Sequence, residues 1–194
     1  YCTENMTMLF PSWLRAIGEF DGLLCVSHTT LEAVQNWMLK NGPERLRPLE
    51  FHWFHNGSDI EGSQPTSGMP TEASAVLESL SSAPSILMVS TIEPRKQQKQ
   101  SLDAVELLWA KGVDVNLVLV GKSGWKMEDF EKRLKIHPEL GRRLFWLQGI
   151  SDEYLEKVYN ASAAVLMASE GEGFGLAIVE GARHGKPLIL RDIP

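Results

Sequence analysis

Ala168-Ser169-Glu170-Gly171-Glu172-Gly173-Phe174-Gly175-Leu176-Ala177-Ile178-Val179-Glu180 follows an apolar run, Ala163 to Met167, that suits a buried strand. Glycine occupies every second position of the loop, and Leu176, Val179 and Ala182 then recur at helical spacing to face a sheet. Strand, glycine-rich turn and helix N-terminus together present free backbone N–H groups and the positive end of a helix dipole to an anion. Two carboxylates, Glu172 and Glu180, stand eight positions apart across the loop-to-helix junction.

The same alternation fills the preceding hundred residues. Ile86 to Val89, Val115 to Val120 and Leu144 to Leu147 read as strands, and Leu188 to Leu190 closes the series. Between them Gln98 to Ala110, Met127 to Ile136, Asp152 to Tyr159 and Leu176 to His184 read as helices. Strands that are apolar throughout, alternating with helices, imply an α/β fold: a Rossmann-like doubly wound parallel sheet covered on both faces. Ligands of such sheets bind beyond the carboxyl ends of the strands.

Upstream, Leu23 to Val26 reads as a strand, Ser27 to Thr30 offers caps, and Leu31, Val34 and Met38 fit a helix ending near Gly42. Phe51 to Phe54 reads as a short strand and Asn56 to Asp59 as a turn. Asp59 to Ala83 is rich in Ser, Gly, Pro and Thr, a linker composition, with one short helix near Glu72 to Leu80 capped by Thr71. The expected division is residues 1–55 as the tail of one domain with its connector, 56–83 as linker, and 84–194 as a second domain.

Composition limits the function classes. The 194 residues are 43% hydrophobic and 23% charged, as in ordinary globular proteins. A net charge of −6 argues against a nucleic-acid or polybasic membrane surface. Cys2 and Cys25 suggest no disulfide framework, and the five histidines show no metal-ligand spacing. No apolar run reaches the about 18 residues that would mark a membrane span. With no initiator Met, no signal pattern and an end just past a strand, the chain reads as part of a longer protein.

Four strand-end loops are the candidate site. In Ser90-Thr91-Ile92-Glu93-Pro94-Arg95-Lys96, adjacent Arg95 and Lys96 can neutralise a diphosphate, Arg by paired hydrogen bonds and Lys as a point charge. A solvated basic turn is the plainer reading. Gly121-Lys122-Ser123 is no P-loop, because Asn116 stands where that motif needs glycine. It is a tight turn close to a ligand or a merely flexible one. In Gln148-Gly149-Ile150-Ser151, the backbone of Gly149 and Ile150 can meet a base, and Ser151 is expected to cap the next helix. In the opening stretch Leu176 replaces the last glycine of G-x-G-x-x-G, so no dinucleotide fingerprint exists. Glu180, acceptor-only when ionised, can take two hydrogen bonds from the vicinal hydroxyls of a ribose. Glu172 can accept from a sugar, while the N–H groups of Phe174, Gly175 and Leu176 can hold phosphate oxygens.

Glu172-Gly173-Phe174-Gly175-Leu176-Ala177-Ile178-Val179-Glu180 resembles the double-glutamate signature of the retaining GT-B glycosyltransferases of glycosyltransferase family 4 (group 1). The similarity runs well over Ser85 to Pro194 and more loosely over Asp21 to Asp59. Thr91 to Lys96 is similar to the family's diphosphate-binding segment, with Lys96 the matching cation. Ser90-Thr91 departs from the Gly-Arg pair that many members carry, and Arg95 is the substitute.

The resemblance implies that 84–194 is the C-terminal nucleotide-sugar domain and 1–55 the end of the N-terminal, acceptor-side domain. It implies retaining, metal-independent sugar transfer, with mannose from GDP-mannose the first expectation and a glycan or lipid-linked acceptor held by the rest of the N-terminal domain. Glu172 would orient the donor sugar. Arg95, Lys96, Gly121, Lys122, Gly149, Ile150, Gly173, Phe174, Gly175, Leu176 and Glu180 would bind the nucleotide. No cofactor, metal or nucleic acid is expected. The implied setting is the cytoplasm, with peripheral association of the full-length protein at the membrane and a role in polysaccharide or lipopolysaccharide biosynthesis. The alternative is a non-catalytic nucleotide- or sugar-binding module on the same fold.

Overall fold

The computed structural model describes residues 4–57 and 68–193. The chain forms two compact units. The first holds residues up to Gly57 together with Glu172–Gly175, and the second holds the rest up to Gly171 and again from Leu176.

In the first unit α1 (Glu4–Ile17) precedes β1 (Gly22–Cys25), α2 (His28–Asn41) and β2 (Glu50–Trp53). The two strands pair in parallel, with Leu23 opposite Phe51 and Cys25 opposite Trp53. Ser27 caps α2 as expected, its hydroxyl accepting from the Thr30 N–H at 3.1 Å. Leu14, Cys25 and Leu31 are buried. No sequence signal announced α1. Pro11 stands inside it, where proline removes a backbone donor and disfavours a helix, so tertiary packing overrides propensity there.

The second unit follows the expected alternation: α3 (Ala73–Ser82), β3 (Ser85–Val89), α4 (Gln98–Ala110), β4 (Asn116–Val120), α5 (Glu128–Lys135), β5 (Leu144–Leu147), α6 (Asp152–Ala161), β6 (Ala164–Met167), α7 (Leu176–Arg183) and β7 (Leu188–Leu190). A short 3-10 turn, Pro94–Lys96, lies ahead of α4. The sheet order is β5-β4-β3-β6-β7, with every adjacent pair parallel. The alternating side chains of each strand build two cores. Met88, Leu117 and Leu119 face Leu102 and Val105 of α4 and Phe130 and Leu134 of α5. Leu87, Val118, Val120 and Val165 face Leu80 of α3 and Tyr154, Val158 and Tyr159 of α6. Burying both faces explains why these strands read as continuous apolar runs.

One expectation is corrected. The segment around α3 is no linker, because Ala73 and Leu80 sit in the second core and α3 packs on α6. Buried Asn116 fastens it, its amide donating to Ser79 O at 3.1 Å and to Ser85 Oγ at 3.0 Å. Nor does Thr71 cap this helix: the capping position is Glu72, with no side-chain hydrogen bond. Residues 58–67 of the expected linker, including Ser58 and Asp59 of the turn, lie outside the described residues. Among the described residues no helix is long and apolar enough to cross a membrane.

Candidate functional site

The chain runs outward from β3 to β4 and β5, then returns to lay β6 and β7 on the other side of β3. The crevice between β3 and β6 is therefore the topological switch point, where open α/β sheets bind ligands. It is flanked by the loop after β3 (Ser90 to Lys96) and the loop after β6 (Ala168 to Gly171), two of the four loops singled out in the sequence.

These loops are tied to each other. The Glu170 N–H donates to Arg95 O at 2.9 Å. The Arg95 guanidinium donates through Nη1 to the carbonyl of Gly171 and through Nη2 to Glu93 Oε1, the latter at 2.6 Å. Glu93 is only 3% exposed, so it needs this cation beside it. The sequence reading put Arg95 on the donor diphosphate. The structure turns two of its nitrogens onto its own protein, bracing one loop against the other. Lys96 follows at the end of the 3-10 turn and is half-buried. Gln98, almost fully buried, holds the loop from behind, its amide donating to Ser90 Oγ and Thr91 O, both at 2.9 Å.

The loop after β4 is a tight, hydrogen-bonded turn. It continues the β3–β4 ladder beyond the sheet: Ser90 N donates to Val120 O, and Ile92 N to Lys122 O, both at 2.9 Å. At Gly121, φ is 149°, and a β-carbon there would stand 2.0 Å from Ser90 O. Glycine is needed for this approach of chain to chain. Lys122 itself is exposed, and its Cε lies 3.6 Å from where a β-carbon on Gly149 would stand. Lys122 thus reaches the loop after β5.

At that loop a cavity of about 410 Å³ opens, lined by Trp146, Gln148, Gly149, Ile150, Tyr154 and Glu72 among others. The Trp146 indole N–H donates to Gly121 O at 3.0 Å, which fixes one wall. Ser151 caps α6 as expected, accepting from the Tyr154 N–H at 3.2 Å. Its hydroxyl also donates to Gly68 O at 2.8 Å.

Glu180 lies just over a turn into α7 and is half-buried. The hydroxyl of Tyr159, a fully buried residue of α6, donates to its Oε2 at 2.7 Å. Burial, and then this bond, hold the Tyr159 phenol far above its ordinary range, so it remains a donor. Gly181 lets α7 sit close on the sheet, since a β-carbon there would come within 2.9 Å of Val165 Cγ2 and Leu188 Cδ2. Leu176 begins the helix, half-way exposed, and its first N–H groups have no intrahelical acceptor.

Glu172, Gly173, Phe174 and Gly175 pack within the first unit. There Gly173 O accepts from Thr30 Oγ1 at 3.3 Å, and the Phe174 ring lies 5.4 Å from that of His55. The second unit therefore brings together Arg95, Lys96, Gly121, Lys122, Gly149 and Ile150 on its strand-end rim, with Leu176 and Glu180 on α7. The sequence reading missed Glu93, Gln98 and Tyr159. Only Glu93 carried a local signal, an acid two positions before Arg95. Among the described residues no cluster of three or more His, Cys, Asp or Glu could hold a metal ion.

Comparisons with known proteins fit this geometry. The model of the family described as "Glycosyl transferases group 1" matches residues 71–194. The serotype-specific mannosyltransferase WbdA of Escherichia coli is 45% identical over 98% of this chain and 24% of its own length. A D-inositol 3-phosphate glycosyltransferase of a Mycobacterium species is 30% identical over 91% of this chain and 39% of its own length. The chain thus spans about a quarter to two-fifths of these relatives. Among solved structures, Anabaena HepE in complex with UDP and glucose superposes with a TM-score of 0.65 at 22% identity, over 92% of this chain and 47% of that one. The trehalose-6-phosphate synthase OtsA reaches 0.69 at 15% identity, over 96% and 48%. At such identities the likeness speaks for the fold alone, an α/β fold with a parallel sheet like that of these GT-B glycosyltransferase neighbours. The chain belongs to the group 1 glycosyl transferases.

Proposed function

We propose that this chain supplies the donor site of a retaining, metal-independent glycosyltransferase of family 4 that moves mannose from GDP-mannose to a glycan or lipid-linked acceptor. The observation that carries the reading is the switch-point crevice, with braced loops on either side, Lys96 at its rim and Glu180 on the helix that leaves it. Lys96 and the N-terminus of α7 neutralise the leaving diphosphate, a role for preorganised charge and dipole. Arg95 holds the β6–α7 loop in place for them. Glu180 accepts from the ribose hydroxyls, and the cavity beside Gly149 and Ile150 takes the base. Glu172 orients the donor sugar. The relationship to the mannosyltransferase WbdA supports mannose as the sugar. A cytoplasmic site, peripheral at the membrane, would bring the enzyme to a lipid-linked acceptor.

The test is calorimetric titration of the chain with GDP and UDP, then with GDP-mannose and UDP-glucose. GDP should bind more tightly than UDP, and Glu180→Ala should cost about 1.5–3 kcal/mol of that affinity, the scale of hydrogen bonds to a charged group. Unchanged binding by the Glu180 variant would remove the ribose assignment, and preference for UDP would remove GDP-mannose as donor.

A further inference from the structure

Glu180 has two carboxylate oxygens, and the fold uses one. The Tyr159 hydroxyl donates to Oε2 at 2.7 Å from a fully buried ring. That ring is itself fixed, stacked on His184 with centroids 4.8 Å apart and planes 5° from parallel. His184 follows just past the end of α7, four residues after Glu180, and its Nδ1 is 3.3 Å from Oδ1 of Asn160, the residue after Tyr159. Lys186 closes the group, donating to Asn160 O at 2.8 Å. Helical side chains lean toward their own N-terminus, so the Tyr159 hydroxyl comes up from below Glu180, while Glu180 leans toward the loop it follows.

We propose that Tyr159 is a positioning residue: by holding Oε2 of Glu180 it fixes the carboxylate plane, so that Oε1 faces the nucleotide and receives the ribose hydroxyls. This rests on the ribose reading of Glu180 given above and adds to it the residue that sets its geometry. A carboxylate on a helix surface ordinarily samples several rotamers, and each immobilised side chain removes part of the entropy lost on binding. Tyr159 removes it during folding. A donor at Oε2 also leaves one acceptor atom facing the ligand, which favours a hydroxyl in one position over a second anion or a water chain.

The test compares GDP with 2′,3′-dideoxy-GDP by calorimetry on the full chain, its Tyr159→Phe and Glu180→Ala variants, and the double variant. Tyr159→Phe is expected to weaken GDP about 5–10-fold, the scale of an ordinary net hydrogen bond because the carboxylate itself remains, and to leave the dideoxy nucleotide unaffected. In the Glu180→Ala background it should change nothing, because the cycle isolates the pair. If Tyr159→Phe binds GDP as the parent does, or weakens both nucleotides equally, the positioning role is overturned while the ribose reading stands. If Glu180→Ala discriminates the two nucleotides as the parent does, the ribose reading falls and the proposal with it. Should Tyr159→Phe fail to fold, 3-fluorotyrosine labelling serves instead, since the chain has three tyrosines. The fluorine resonance of Tyr159, assigned by Tyr154→Phe and Tyr1→Phe, should move with GDP and stay with the dideoxy nucleotide. An equal response to both, or none to GDP, overturns the proposal.

Discussion

The Glu170 N–H donates to the carbonyl of Arg95 at 2.9 Å, joining the β6–α7 loop to the β3–α4 loop across the switch point. The Arg95 side chain doubles this tie through Gly171 O and is itself held by Glu93 Oε1. Arg95→Ala would leave Glu93 buried without its cation, so a loss of about 2–4 kcal/mol is expected, in the range for breaking a buried pair. Arg95→Lys should recover only part of it, because a single ammonium cannot span both acceptors. Urea unfolding of the two variants measures the difference.

Lys96 should behave differently. It stands at the rim of the crevice, and Lys96→Ala tests its action on a ligand there. It should weaken GDP more than guanosine, since the lysine acts on the diphosphate. Equal weakening of both ligands in a titration would place its effect elsewhere.

Gly121→Ala puts a β-carbon 2.0 Å from Ser90 O at a φ of 149°. Neither the backbone oxygen nor the dihedral can yield without separating the β3 and β4 loops. A loss on the order of 3 kcal/mol or more is expected, beyond ordinary overpacking. A thermal or urea midpoint close to the parent's would contradict the close approach.

Gln97 links the 3-10 turn to α4 in the left-handed region, at φ 58° and ψ 30°. Glutamine is unfavourable there by roughly 1 kcal/mol, whereas asparagine tolerates the conformation. Gln97→Asn should therefore raise stability by about 0.5 kcal/mol, read as a higher urea midpoint at unchanged slope.

Glu106 of α4 accepts from Arg133 Nη2 at 2.7 Å and lies 2.8 Å from His137 Nε2. Partial burial pushes its carboxyl up, but the bonds from Arg133 and His137 outweigh that and hold it below its ordinary value. A carboxyl depressed in the folded state contributes stability that is full above its unfolded pKa, about 4.3, and is lost as pH falls through the folded value. Glu106→Gln should thus flatten the acid limb of the stability curve below about pH 5. Because Glu106 is 37% exposed, the effect is modest. Urea midpoints from pH 7 to 3 would show it.

Much of the second unit was legible because its strands are buried on both faces and its helices carry one apolar stripe. Leu117 to Val120 and Leu102 with Val105 speak for themselves at those periods. The loops were found by the strand-end rule, yet what each residue does there was not. The acceptors of Arg95 were not legible, because Glu93 is buried only in the fold and Gly171 is 76 positions away. Nor was the close neighbour of Gly121, Ser90 O, which belongs to the loop after β3. The Tyr159–Glu180 bond crosses from one helix to the next and leaves no periodic trace. The misread linker had another cause. Ser and Ala make up most of α3, and its ties to the core are Ala73 and Leu80, with Val76 and Leu77 packed beside them.

The ladder between β3 and β4 does not stop at the sheet. Ile92 and Ser123 form a further parallel bridge, and the Gly124 N–H returns to Ile92 O at 2.9 Å. The β3 and β4 loops therefore reach their shape when the sheet folds, before any ligand arrives. A ligand entering the switch-point crevice beside them would meet walls already ordered, so little of its interaction energy would be drawn off into freezing backbone. Its release should accordingly be governed by the breaking of its own contacts, rather than by the opening of these two loops.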